Sequence, residues 1–138
     1  IAAAIGWKLD TVTEFPPEPV IAKEEVTTPY TTVKPGNVAG LKSVAHGIKG
    51  GKPVIVLEFV ANALVQEEYD AVSIEGVPNI NPKIIGGVHG DIGTVAVILN
   101  MIPKVLNASP GLATMKDLPA PSVLNEEVRV YLRSSSSR

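Results

Sequence analysis

The sequence predicts an α+β fold, a mostly antiparallel or mixed sheet packed against one long helix, and three observations predict it. Strand-like runs fill the first part of the chain, where apolar and polar residues alternate or β-branched residues gather between Gly and Pro breaks. A single long apolar segment from Ile92 to Val105 follows them. The strands precede that helix instead of alternating with several helices, which separates the pattern from a parallel βαβ fold.

Each element has its own justification. Ile1 to Ile5 is helix-forming and Gly6 stands where a C-terminal cap would, so the opening reads as the last turns of a helix that begins upstream. Trp7 to Thr13 alternates like a half-buried strand and stops at the Pro16, Pro17 and Pro19 cluster. Thr27 to Val33 is β-branched and aromatic around Pro29, which favours an edge strand because proline cannot donate to a ladder. Val38 to Ile48 and Lys52 to Val60 flank Lys49-Gly50-Gly51 as an antiparallel hairpin. The second arm is apolar on both faces, which places it centrally in the sheet.

Asp70 to Val77 alternates again, and the segment from Pro78 to Pro82 links it irregularly to Lys83-Ile84-Ile85. Asp91 is the expected N-cap of a helix that runs to about Asn107 and stops at Ala108-Ser109-Pro110-Gly111. Asn100, Lys104 and Asn107 form one stripe on it while apolar residues cover the rest, so it needs cover on more than one side. A second subunit or second domain is the expected cover. Pro103 should bend the helix near its end. Leu112 to Leu132 has a short helix or strand from Val123, and Ser134 to Arg138 is a disordered or engineered tail, leaving one domain over 1–133.

With 138 residues, a net charge of -2 and 45% hydrophobic residues, the chain fits one globular domain. Its basic residues are scattered among acids, which excludes nucleic acid as the main partner. Without cysteine there is no disulfide framework or thiolate chemistry, and a cytoplasmic location is expected. Gly93, Thr94, Asn100, Pro103 and Lys104 interrupt the longest apolar run, so no membrane span is expected.

The most informative stretch for chemistry is Gly86-Gly87-Val88-His89-Gly90-Asp91. Glycines permit close backbone approach, a helix start offers unpaired amide protons, and a histidine between them can donate a hydrogen bond or move a proton near neutral pH. The competing reading is a tight strand-to-helix connection whose histidine is only exposed or packed. The glycine spacing does not match the dinucleotide fingerprint, and no βαβ unit surrounds it. Glu58, in an otherwise apolar strand, needs a partner or a cavity and is a secondary candidate. His46 reads as a structural strand residue, and the two histidines lack the spaced acids of a metal site. Glu24-Glu25, Glu67-Glu68 and Glu126-Glu127 read as solvated faces, because neighbouring residues point apart. Trp7 and Tyr30 are aromatic candidates for a pocket wall or for core, and Ser109 lacks a nucleophile-elbow pattern.

Four segments carry a family resemblance: Ala4-Ile5-Gly6-Trp7-Lys8-Leu9-Asp10; Val38-Ala39-Gly40; Gly86 to Asp91; and Pro110-Gly111-Leu112 with Thr114-Met115-Lys116-Asp117-Leu118-Pro119. Together they resemble the C-terminal part of 2,4-diaminopentanoate dehydrogenases and native amine dehydrogenases, distant relatives of dihydrodipicolinate reductase. The resemblance covers nearly all the chain up to Pro121. It implies the C-terminal domain of a two-domain dehydrogenase, which shapes the substrate pocket and forms a homodimer. NAD or NADP would be held mainly by an N-terminal domain, and this chain would not act alone. The implied reaction is reversible oxidative deamination of a small amine to a ketone. By the family pattern His89, Gly87 and Gly90 lie near substrate with Thr114 to Pro119 close by, while the family's catalytic acidic residue is expected on the N-terminal half, so no catalytic residue is assigned in this chain. The Lys-Asp-Ala-Pro-Ser-Gly type signature of dihydrodipicolinate reductases is absent, which disfavours that activity. A stand-alone dimeric ligand-binding module without catalysis is the alternative.

Overall fold

Backbone polar groups need partners, and a computed structural model shows where this chain finds them over residues 1–132. The expected tail at 134–138 lies outside the described residues. The chain divides into two units, Ile1–Glu68 and a second that begins at Tyr69.

In the first unit, Gly6 at φ +72° closes a turn in which the amides of Gly6 and Trp7 donate to the carbonyls of Ala3 and Ala2. This is the cap geometry that Gly6 suggests in the sequence. Strand β1 (Thr11–Glu14), β2 (Glu18–Ile21), β5 (Val38–Lys49) and β6 (Lys52–Asn62) form one antiparallel sheet. Between β2 and β5 lies a small hairpin of β3 (Val26–Thr27) and β4 (Thr32–Val33). Gly50 and Gly51 turn β5 into β6 at φ +61° and +73°, a conformation that suits a tight two-residue hairpin and that a side chain would oppose.

The hairpin of β5 and β6 is as expected, but the strand order is not. β5 is the middle strand: β1 pairs with its second half and β2 with its first half along one edge, and β6 takes the other edge. The apolar faces of β6 report what should lie above and below the sheet, not what lies beside the strand, so they do not make it central. Three further differences have local causes. Thr27 to Val33 is no single strand, because the Thr28 side chain accepts the amides of Tyr30 and Thr31 and turns the chain at Pro29-Tyr30. The proline cluster does not end pairing, because β2 has β5 on one side only and Pro19 loses no ladder bond by facing outward. The strand from Trp7 begins only at Thr11, after the Asp10 carboxylate has taken the Gly50 amide at 2.6 Å.

In the second unit, β7 (Tyr69–Ala71) pairs antiparallel with β8 (Lys83–Ile85), and an isolated bridge joins Ile74 to Ile80. The expected strand to Val77 therefore ends early, where the amide of Gly76 turns to the Asn79 side chain. Helix α1 (Gly90–Leu106) follows, then a 3-10 turn over Val128–Tyr131. His89, not Asp91, is the N-cap, and Asp91 falls in the first turn, where its charge suits the helix dipole. The C-cap is Asn107 and Pro103 lies inside the last turns. Asn107 donates to the Tyr131 carbonyl at 2.7 Å, and Lys104 donates to Ser122 at 2.7 Å, which ties the helix end to the closing segment.

The fold is thus α+β, antiparallel sheets with one long helix, as expected. Its core is small: Ala22, Gly47, Met101 and Pro103 are the buried residues among those described. Phe59 and Leu57 of β6 are 61% and 51% exposed, and Ile92, Ile98 and Leu106 of α1 are 69%, 59% and 61% exposed. No described helix is long and apolar enough to cross a membrane.

Candidate functional site

The glycine-bounded link is built from β8 outward. After Ile85, Gly86 and Gly87 take φ +81° and +65°, which a side chain would oppose, and the chain reverses toward the helix. The Gly87 amide donates to the Ile84 carbonyl at 3.2 Å. The Val88 amide donates to the Asp70 carboxylate of β7 at 2.7 Å. A Cβ on Gly87 would lie 3.6 Å from that carboxylate and 3.7 Å from the Tyr69 backbone, ordinary contact distances, so the positive φ and not lack of space is what calls for glycine here. His89 then caps the helix through its carbonyl, which accepts the Gly93 amide at 2.8 Å, while its imidazole makes no capping bond and is exposed. An imidazole left out of the cap is available to a ligand, as donor or as acceptor.

Three of the five candidate residues, Gly87, His89 and Gly90, therefore share this link. Thr114 does not join them. Its amide and hydroxyl both donate to Asp117, at 2.9 Å and 2.6 Å, and Asp117 also contacts the Lys116 ammonium. The Lys116 contact, then the two bonds from Thr114, hold the Asp117 carboxyl below the usual carboxylate range. Asp117, Leu118 and Pro119 line a cavity of 410 Å³ with Pro103, Lys104, Asn107, Leu124 and Tyr131. That cavity sits at the end of α1, whereas His89 stands at its start, about 20 Å away at the usual helical rise. Thr114 to Pro119 is thus not packed beside His89, since the chain from Pro110 returns to the end of the helix it has just left.

Glu58 belongs to the first unit. It forms an ion pair with Lys42 across β5 and β6 at 2.8 Å, with both side chains partly exposed. The Glu58 hydrogen bond and charge raise the Lys42 ammonium above its usual value, with Glu18 adding a smaller push. The acid has thus found the partner that its apolar strand demands. On the same sheet face His46 meets Phe15 edge to face, with ring centroids 4.9 Å apart. A groove of 640 Å³ in this unit is bordered by Pro17, Pro19, Tyr30, Val33, Val38, Leu41 and their neighbours. Tyr30 thus lines a concavity.

Asp70 is the residue that the sequence hides. It opens an alternating strand, and only the pairing of β7 with β8, with Asp70 opposite Ile84, brings its carboxylate to the link.

The described strands pair only antiparallel, and Gly86, Gly87 and Gly90 are spaced unlike a dinucleotide-binding turn. These residues do not form a cradle for a nicotinamide dinucleotide.

The architecture is shared with a solved protein class first. The structure matches an amine dehydrogenase from Mycobacterium smegmatis with a TM-score of 0.72 and 25% identity, over 89% of this chain and 37% of that one. The family model for the 2,4-diaminopentanoate dehydrogenase C-terminal domain matches residues 1–134, and the chain belongs to that family. A 2,4-diaminopentanoate dehydrogenase from Acetoanaerobium sticklandii is 39% identical over 133 residues, covering 94% of this chain. The chain spans 38% of that relative's length.

Proposed function

We propose that this chain is the substrate-side domain of an NAD(P)-dependent amine dehydrogenase that deaminates a small amine or diamine reversibly to a ketone, with 2,4-diaminopentanoate as the first substrate to test. The observation that carries the reading is the exposed imidazole of His89, held between a glycine pair and the start of α1 in a chain of this family. Family membership supports the reaction class, and the link supplies a side chain suited to it.

The dinucleotide, when bound, supplies hydride exchange, and since these residues form no cradle for it we assign it to another part of the enzyme. His89 hydrogen-bonds the substrate's nitrogen or carbonyl oxygen and exchanges a proton there, a role for which imidazole is suited near neutral pH. Gly87 and Gly90 leave room for substrate to approach the backbone. Glu58 and Thr114 carry less of the assignment, because Lys42 and Asp117 already satisfy them. A homodimer fits the exposed apolar strand and helix. The non-catalytic module is the weaker reading, since nothing in it calls for a free imidazole at the link.

The test is His89→Ala in the full-length enzyme, assayed with 2,4-diaminopentanoate and either dinucleotide. We expect kcat/KM to fall about 100-fold or more, the range for a lost general acid–base group, with an unchanged melting curve. Wild-type kinetics would remove His89 from the site.

A further inference from the structure

We propose that Asp70 is a positioning residue: its carboxylate fixes the backbone that presents His89, and it acts through His89 without touching substrate. The proposal rests on the reading of His89 given above.

Residues 86–89 span the gap from β8 to α1, and they begin with two glycines in the left-handed region, the least restrained backbone a chain can have. Among the described residues, the amides of Gly87 and Val88 donate hydrogen bonds that hold this stretch before the helix begins. The Gly87 bond to Ile84 is local and long at 3.2 Å. The Val88 bond to Asp70 is short at 2.7 Å, is charge-assisted, and arrives from a residue 18 positions earlier in the chain. It therefore anchors the link to the β7–β8 ladder, not merely to itself.

Val88 is also held through its side chain. A Cβ on Gly93 would come within 2.8 Å of Val88 Cγ1, so the valine methyl already rests on the first turn of α1 where only a glycine leaves it space. The residue next to His89 is thus gripped on its amide by Asp70 and on its methyl by the helix. Among the described residues, His89 itself is tied by its carbonyl, which accepts the Gly93 amide at 2.8 Å. Release of the Asp70 grip would let the glycine pair reorient and carry the imidazole with it, and misplacement of a reacting group by about 1 Å costs on the order of 100-fold in rate.

The full-length enzyme with 2,4-diaminopentanoate as amine gives the test, as a double-mutant cycle. Asp70→Ala should lower kcat about 10-fold to 100-fold with KM little changed. Asp70→Asn keeps an oxygen for the Val88 amide and should recover most of that loss, which a requirement for charge alone would not allow. In a His89→Ala background, Asp70→Ala should have no further effect on kcat. If Asp70→Ala does not fold, Asp70→Ser keeps a polar side chain on β7 that cannot reach Val88, and the same cycle decides. A slow His89→Ala enzyme in which the Asp70 substitution is fully additive would overturn the positioning role alone. A His89→Ala enzyme with wild-type rates would overturn the site reading and this proposal together.

Discussion

Asp117 shows how much a single residue's partners decide. It accepts two bonds from Thr114 and faces the Lys116 ammonium, so its folded acidity lies below the usual range. A depressed carboxyl contributes stability that is present above its unfolded pKa and is lost only as pH falls through the lower folded value. The turn from Thr114 to Asp117 should therefore outlast an ordinary carboxylate, which protonates near pH ~3.9. The Thr114 amide resonance, followed from about pH 7 to about pH 3, should show no break near the ordinary carboxylate value, and a break there would contradict the arrangement. At this scale the sequence is half legible. His89 stands out because glycines and a helix start surround it, and those signals are contiguous. Glu58 stands out as an acid in an apolar strand, but Asp70 and the Lys42 that partners Glu58 do not, because each depends on which residues a neighbouring strand brings close.

Elements are legible where a local rule acts alone. Gly50-Gly51 forces a hairpin and the apolar run forces a helix, and both are found within a residue or two of their expected limits. They are misread where a tertiary partner overrides the local rule. Prolines at 16, 17 and 19 read as a stop, yet β5 offers an edge on which a missing amide proton costs nothing. Asp91 reads as the cap because acids favour helix starts, yet the turn begins two residues earlier, at a histidine whose side chain makes no cap bond. The same close strand contact gives a test of β5 and β6. A Cβ on Gly40 would collide with the Ala61 carbonyl oxygen and the Asn62 Cβ, and backbone cannot step aside as a flexible side chain can. Gly40→Ala should therefore destabilise the domain by about 1–3 kcal/mol, the usual range for overpacking, measured by urea unfolding. An unchanged midpoint would mean that the two strands are not so close in solution.

For the whole molecule, the scarcity of buried side chains matters more than any one contact. The chain exposes 11310 Å² of surface. Two well-packed bodies of half its mass would together expose only about 8300 Å². Exposed apolar side chains run along the chain, among them Phe59 and Leu57 of β6 and Ile98 and Leu106 of α1. Apolar surface of this extent marks a place for a neighbour. We expect the isolated chain to self-associate at micromolar concentration and Phe59→Asp to weaken that association; light scattering that gives a monomeric mass for the parent chain would contradict it. The exposed apolar surface was legible in the helix, where apolar residues surround the Asn100, Lys104 and Asn107 stripe.

The thin core has a thermal consequence. Apolar burial that a self-sufficient domain gains while folding would here be gained while joining, so the joining step, not the folding step, carries most of the negative heat-capacity change. The attraction between such surfaces weakens as water is chilled. A protein assembled through β6 and α1 would come apart in the cold at its seams while its strands and helix stay formed.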